Sequence, residues 1–396
     1  MSRIVVTGIG IITAIGETAD ENRDALIHAK TGIGKARFFN SRYTGQLPFG
    51  EISLSTEQLA EKLGIENNTT TRTDLLALHA AKRAIADANL SKEDLSGSDT
   101  ALIGGSTVGG MCLTDEMYAD ANATGISNSP YLTSYSNSAN TSFLQRHFNI
   151  GGLINTFNTA CSSSANAIMY GARLLKNGMA KKVIAGGVDS LSKYTVNGFN
   201  ALMILSGEPC RPFDSERKGL NLGEGAAFLV LEREEDASGK KIYAEVKGYG
   251  NSNDAFHPSS TSAEGEGPYL SMKRALDIAG LSPADIDFIN AHGTATENND
   301  ETESAAMLRL FDQAPAFAST KSYTGHTLGA AGAVEAVYSI LSLQHQEVYP
   351  SLHFKDPIGT TGLKPITQYE QRNLNHVMSN SFGFGGNCTS LIFSKP

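Results

Sequence analysis

Cysteine is scarce in this chain. Cys112, Cys161, Cys210 and Cys388 lie far apart, with no CxxC pair and no metal-like spacing. That pattern excludes a disulfide scaffold and a cysteine-rich metal site, and it fits free thiols in a reducing compartment, so the expected location is cytoplasmic. Long apolar runs are lacking as well, and none approaches the ~20 residues that span a bilayer. The opening Met1-Ser-Arg-Ile-Val-Val-Thr-Gly reads as a first strand, not as a charged-then-apolar signal peptide. Positive charge is in short supply. The formal net charge of -9 argues against non-specific binding to nucleic acid or an anionic membrane, so an acidic partner would have to dock on a local basic patch.

Glycine and core-forming residues are what the chain has in quantity. Hydrophobic residues make up 40% and charged residues 18%, which places it among globular chains with a large core. Its glycines cluster as Gly104-Gly105, Gly109-Gly110 and Gly385-Gly386, as expected of tight turns and close backbone approaches. Compact β-branched runs, among them Ile4-Val5-Val6, Ala101 to Gly104, Val183 to Gly186 and Phe288-Ile289-Asn290, predict buried strands. Helical stretches alternate with them, one beginning near Asp74 with Leu75, Leu78, Ala81, Ile85 and Ala88 on one face. Such alternation predicts an α/β architecture.

The chain also repeats itself. Lys82-Arg-Ala-Ile-Ala-Asp-Ala-Asn-Leu-Ser-Lys-Glu-Asp-Leu95 returns as Lys273-Arg-Ala-Leu-Asp-Ile-Ala-Gly-Leu-Ser-Pro-Ala-Asp-Ile286. Each copy ends a helix, turns at Leu-Ser and restarts through an acidic residue before an apolar strand. Two duplicated halves, residues 1–240 and 241–396, are the economical reading. Each alone would expose a sheet face, so one fused unit is expected.

Four segments carry candidate chemistry. Leu153 to Asn158 reads as a strand and Thr159-Ala160-Cys161 as a sharp exit from it, after which Ala165, Ile168, Met169, Ala172 and Leu175 follow helical spacing up to an Asn177-Gly178 stop. Cys161 therefore belongs at a helix N-terminus, where unpaired N–H groups favour a thiolate and can donate to an oxyanion. The bland alternative is a small buried thiol capping a helix. His292, in Asn290-Ala-His-Gly-Thr-Ala-Thr, falls at a strand's C-terminal end, where α/β proteins place chemistry. Lys321 and His326 share the loop before another helix, and Asn380-Ser-Phe-Gly-Phe384-Gly-Gly is a glycine loop with two aromatics. His28, His79, His147, His257, His345 and His353 lack comparable surroundings.

Together these residues resemble the β-ketoacyl-acyl-carrier-protein synthases, elongating type II condensing enzymes of thiolase fold. The resemblance rests on Thr159-Ala-Cys161-Ser-Ser, His292-Gly-Thr-x-Thr, Asn299-Asp300-x-x-Glu303, Lys321-x-x-x-Gly-His326 and Ser381-Phe-Gly-Phe-Gly-Gly, with Gly223-Glu224-Gly225 after Arg211-Pro-Phe-Asp214. The set runs the length of the chain in the family's order. It implies two βαβαβαββ halves packed as five αβαβα layers, usually a homodimer. It implies that Cys161 takes an acyl group from a carrier protein, with the oxyanion held by the backbone N–H groups of Cys161 and Phe384. His292 and His326 would stabilise the enolate formed as malonyl carrier protein loses carbon dioxide. Lys321 would organise the site, paired with Glu303 and with Asp300. Phe384 would gate the acyl pocket, with Phe199 and Val108 near the chain. No metal or cofactor is required. Arg72 is the candidate for carrier docking. The loop ending Asn387-Cys388-Thr389 replaces the usual Thr-Asn-small, and Ala295 and Glu297 also depart from the common pattern. Similar loop endings occur in polyene and polyketide synthases, which often work as heterodimers beside a catalytically inactive homologue. Two other readings stand beside this one. A non-catalytic, chain-length-setting partner would not need Cys161, His292 and His326. A thiolase exchanging acyl groups on coenzyme A would want a second cysteine in a loop unlike that around Cys388.

Overall fold

The computed structural model describes residues 2–66, 70–113 and 135–396. Ten strands form one mixed sheet: β1 (Ile4–Thr13), β2 (Thr100–Gly105), β3 (Ile154–Phe157), β4 (Lys182–Asp189), β5 (Gly225–Arg233), β6 (Ala244–Asn253), β7 (Phe288–Asn290), β8 (Ala316–Ala318), β9 (His376–Phe382) and β10 (Asn387–Ser394). Their order is β8-β7-β9-β10-β6-β1-β5-β4-β2-β3. Counted outward from the middle, each side runs first, fifth, fourth, second, third. Strand directions match too: β1–β5–β4 antiparallel and β4–β2–β3 parallel on one side, β6–β10–β9 antiparallel and β9–β7–β8 parallel on the other. The sides meet in a short antiparallel ladder, Val5 opposite Glu245 and Val6 opposite Ala244. The inner parallel strands β2, β4 and β7 are buried almost throughout because both their faces are covered, whereas β3 at the sheet's edge is only partly buried.

Among the described residues, the helices that form the layers and flank the site are α1 (Arg72–Asp87), α2 (Ala139–Phe148), α3 (Ser163–Lys176), α4 (Lys193–Ala201), α5 (Glu266–Ala279), α6 (Glu297–Leu310) and α7 (Ala331–His345). α1 and α2 pack together on one outer face, α5 and α6 on the other, and α3 lies against α7 between the two half-sheets. The result is the five-layered αβαβα arrangement of a thiolase-like fold. The three largest apolar cores among the described residues follow the layers, with the central one drawn from Ala165 and Ile168 of α3 and Val334 and Val337 of α7. α7 is apolar on every side and buried from Ala331 to Leu343, as a central helix must be. No helix among the described residues is long and apolar enough to cross a membrane.

The internal repeat has a structural cause. After α1 and α5 the chain takes a left-handed residue, Asn89 (φ 53°) or Gly280 (φ 67°). Leu90 N–H and Leu281 N–H then reach back to Ile85 and Leu276 carbonyls, a Schellman-type stop. Ser91 with Asp94, and Ser282 with Asp285, form capping boxes that restart the chain. A second echo lies in the first strand of each side. A Cβ on Gly8 or Gly10 would sit 2.4 or 2.0 Å from the Ala84 and Ala80 carbonyl oxygens of α1, and one on Gly248 or Gly250 would sit 2.3 or 2.0 Å from those of Ala275 and Ser271 in α5. Bare glycine backbone is what lets each outer helix settle onto its strand.

Candidate active site

β3 ends at Phe157, and the chain turns through Thr159-Ala160-Cys161 before α3 begins at Ser163. The turn forces Ala160 to a left-handed φ of 51°, a conformation costly for a residue with a Cβ. Ser163 Oγ stabilises it, donating to Ala160 O at 2.6 Å and accepting from Thr159 N–H at 3.0 Å. Cys161 is thus presented at the sheet's C-terminal edge yet is only 5% exposed. The thiolate expected from a helix N-terminus is not the resting state. Burial pushes the Cys161 thiol up to about 12, against the opposing pull of the Lys321 charge and the Phe384 N–H. Cys161 also precedes the helix, and the dipole's influence fades beyond the first turn.

His292 follows the C-terminal end of β7, and His326 lies past β8, just beyond the helical turn Lys321–Thr324; both are buried. Burial first, and the nearby Lys321 charge second, hold both imidazoles well below the ordinary histidine range, so both are neutral. Their rings meet edge to face with centroids 5.3 Å apart. One atom of each and Cys161 Sγ lie within 4.8 Å of one another. Lys321 Nζ donates to His292 Nδ1 at 3.2 Å, to the His292 carbonyl at 2.5 Å and to Glu335 Oε1. An ammonium on Nδ1 leaves Nε2 of His292 as the N–H side, a donor. Neither ring nitrogen of His326 has a hydrogen-bond partner among the described residues, although the ring is buried. A buried group so placed is one a ligand can satisfy. The same trio is close enough to hold a metal ion, but Lys321 keeps the proton on the His292 nitrogen that would have to bind it.

The carboxylates correct one expectation. Glu303 does not pair with Lys321; it accepts His292 N–H at 2.9 Å, Gly293 N–H at 2.8 Å and Asn380 Nδ2 at 3.2 Å, fixing the histidine loop through its backbone. Asp300 is equally occupied, accepting Phe213 N–H at 2.7 Å and Ala295 N–H at 3.1 Å, both residues with positive φ. Lys321 instead meets Glu335 of α7, which sequence reasoning missed. The signal was there: Glu335 is the only charge between Ala331 and Leu343 in an otherwise apolar helix. Burial pushes both Glu303 and Glu335 up to about 7.

Phe384 sits in the turn Phe384–Gly386 that joins β9 to β10, and its N–H points at Cys161 Sγ. Its ring stacks on Phe199 of α4, centroids 5.6 Å apart and 21° between planes. Both rings, with Cys161, His292 and His326, line a cavity of about 530 Å³. Val108 stands off that lining, its N–H held by Asp189 at 3.3 Å. Arg72 is no docking cation. Its guanidinium is largely buried and forks onto Glu224 at 2.6 and 2.9 Å, with a third bond to Leu54 O.

Residues 1–237 match the model of the beta-ketoacyl synthase N-terminal domain, and residues 243–355 that of its C-terminal domain. The chain belongs to the β-ketoacyl synthase family. It is 36% identical to 3-oxoacyl-acyl-carrier-protein synthase 2 of Rhizobium meliloti, over 100% of this chain and 99% of that one. In structure it is similar to a β-ketoacyl synthase from Burkholderia phymatum (TM-score 0.91, 30% identity, all of both chains). It is also similar to the ishigamide ketosynthase/chain length factor (TM-score 0.93, 29% identity, 100% of this chain and 99% of that).

Proposed function

We propose that the chain is a β-ketoacyl-acyl-carrier-protein synthase in which Cys161 accepts an acyl group and passes it to a malonyl-derived carbanion. The observation that carries this reading is the convergence of Cys161, His292 and His326 on one cavity, one side chain a nucleophile and two neutral imidazoles. Cys161 Sγ attacks the carrier thioester, and its proton leaves overall with the departing carrier thiol. The Phe384 N–H, already aimed at Sγ, and the Cys161 N–H meet the oxyanion. A malonyl thioester then enters. As carbon dioxide leaves, negative charge grows on the thioester oxygen, where His292 Nε2–H and an N–H of His326 donate. Because that charge exists only during reaction, the two donors favour the transition state over the ground state. The carbanion attacks the Cys161 thioester, the carbon–sulfur bond breaks, and the β-ketoacyl product departs on the carrier. Lys321 fixes the His292 tautomer and Glu335 holds Lys321, while Phe384 and Phe199 close the way to the acyl pocket.

Acyl carrier protein in its acyl and malonyl forms is the proposed partner, the cytoplasm the proposed compartment, and the two halves fall at 1–240 and 241–396. One similar structure is a ketosynthase/chain length factor. Together with the Asn387-Cys388-Thr389 ending, that supports a second assembly beside the homodimer, in which this chain is the active subunit of a heterodimer.

The test is intact-protein mass after mixing with an acyl carrier-protein thioester. An adduct on the native chain, absent from Cys161→Ala and discharged by malonyl carrier protein, is the expected result. An adduct that persists in Cys161→Ala would sink the assignment. His326→Ala should still acquire the acyl group, yet condense slower by ~10³-fold.

A further inference from the structure

The two N–H groups that meet the oxyanion come from segments far apart in sequence, the elbow at Cys161 and the glycine loop at Phe384. The loop is pinned to the elbow at both of its roots. At Gly383 the pin is steric: a Cβ there would lie 2.6 Å from Thr159 O and 3.1 Å from Cys161 N. At Asn387 it is polar. The Asn387 carbonyl accepts Gly383 N–H at 2.8 Å and closes the loop on itself. Its side-chain Oδ1 accepts from Ser162 Oγ at 2.8 Å, Asn166 Nδ2 at 2.9 Å and Asn251 Nδ2 at 2.9 Å. Ser162 caps α3 and Asn166 lies in its first turn, so one oxygen ties the loop to the nucleophile's helix. Asn166 carries the tie back to the elbow, donating to Thr159 Oγ1 at 2.8 Å. The tip of the loop is held by a different segment, with Gly385 N–H on Pro258 O at 2.7 Å.

We propose that Asn387 is a positioning residue for acyl transfer, its carboxamide oxygen holding the loop root so that the Phe384 N–H stays aimed at the oxyanion beside Cys161. It touches no reacting atom. The inference rests on the reading of Cys161 as acyl acceptor, and it singles out one of two steps. Acyl transfer to Cys161 needs the oxyanion donors, whereas malonyl decarboxylation relies on His292 and His326, which the network around Asn387 does not include. Asn387 is also where the chain departs from the threonine usual in its family. A threonine hydroxyl can accept from the same donors over a shorter reach.

The experiment measures three quantities on the whole protein: the acyl-transfer rate to Cys161 by quenched mass spectrometry, decarboxylation of malonyl carrier protein without acyl donor, and the melting temperature. Asn387→Leu keeps the branched heavy-atom skeleton and removes the acceptor. It should slow acyl transfer by ~10²-fold, the order found when an oxyanion donor is lost. The KM for acyl carrier and the decarboxylation rate should stay within ~3-fold of native on the same grounds. Asn387→Thr should recover at least ~10-fold of the loss. Acyl transfer at the native rate in Asn387→Leu overturns the proposal. So does an equal loss of both reactions, which is the mark of a merely structural residue. Should Asn387→Leu not fold, Ser162→Ala removes one donor to the same oxygen and must slow acyl transfer alone; no selective loss there overturns the proposal as well. A native chain that takes no acyl group at all refutes the underlying reading, and the inference with it.

Discussion

Buried charge decides most of what single residues do here. His326 is neutral in the fold and has an ordinary pKa near 6.5 once unfolded, so the unfolded chain binds a proton the native one refuses. Its contribution to stability is complete above 6.5 and is lost as pH falls below it. Glu335 works in the opposite sense. At about 7 in the fold against 4.5 unfolded, it keeps a proton that the unfolded chain has released, so stability is lost as pH rises between those values. Between about pH 5 and 6.5 the two effects oppose each other. His326→Ala should therefore tilt the stability profile downward with rising pH, and Glu335→Gln should tilt it upward, each by about 1.4 kcal/mol per pH unit. Urea unfolding across that window checks both, and parallel profiles for all three proteins would mean that neither group titrates as described. Arg72 belongs to the same account. Arg72→Ala leaves Glu224 buried without its partner and should cost about 3–5 kcal/mol, with carrier binding unchanged in a titration. The sequence alone could not reveal this, because an arginine at a helix start looks the same whether its fork meets water or a carboxylate that lies far along the chain. The convergence of Cys161, His292 and His326, by contrast, was legible, since each sits in its own local motif in a loop next to a strand or a helix. The Lys321–Glu335 pair was half legible: the lone acid in α7 was visible, but its partner is set by how α7 packs.

At the scale of elements, periodicity gave the outer helix α1 closely. α1 was expected near Asp74 on Leu75, Leu78, Ala81, Ile85 and Ala88, and it runs from Arg72 to Asp87. The strand expected from Leu153 to Asn158 is shorter by one residue at each end, running from Ile154 to Phe157. What periodicity could not show is the distance between layers, which the glycines of β1 and β6 set. A Cβ at Gly10 would overlap the Ala80 carbonyl of α1, and backbone cannot step aside as a flexible side chain can. Gly10→Ala should lower stability by roughly 3 kcal/mol, and Gly250→Ala, facing Ser271 at the same spacing, by a similar amount. A chemical denaturation curve unmoved by either substitution would show that the helices are free to shift.

At the scale of the whole molecule, the mirrored strand order and the shared central core make one structure of two similar halves. α3 and α7 come from opposite sides of the chain and bury each other. A fragment of residues 1–240 would expose one face of α3 and of its half-sheet. It should lack a cooperative thermal transition, read by circular dichroism, unless residues 241–396 are supplied with it. A sharp melt for the fragment alone would mean that the halves are independent. The repeat was legible where both copies kept the same connection, at residues 82–95 and 273–286, and it recurs in the Gly-x-Gly of β1 and β6. Elsewhere the strands keep their places while the residues on them have diverged.

The route of the glycine loop has a consequence for how the protein is made. On the ribosome Cys161 is synthesised long before Phe384 and Asn387, and β10, on which that loop closes, is the last strand of the sheet to be made. Until β10 takes its place between β6 and β9, the nucleophile has no oxyanion donor from the loop and no gate above it. A nascent or prematurely ended chain thus carries the thiol without the machinery to load it. On the proposed mechanism, completion of the sheet is what arms Cys161, so an unfinished chain is expected to take no acyl group from the carrier pool.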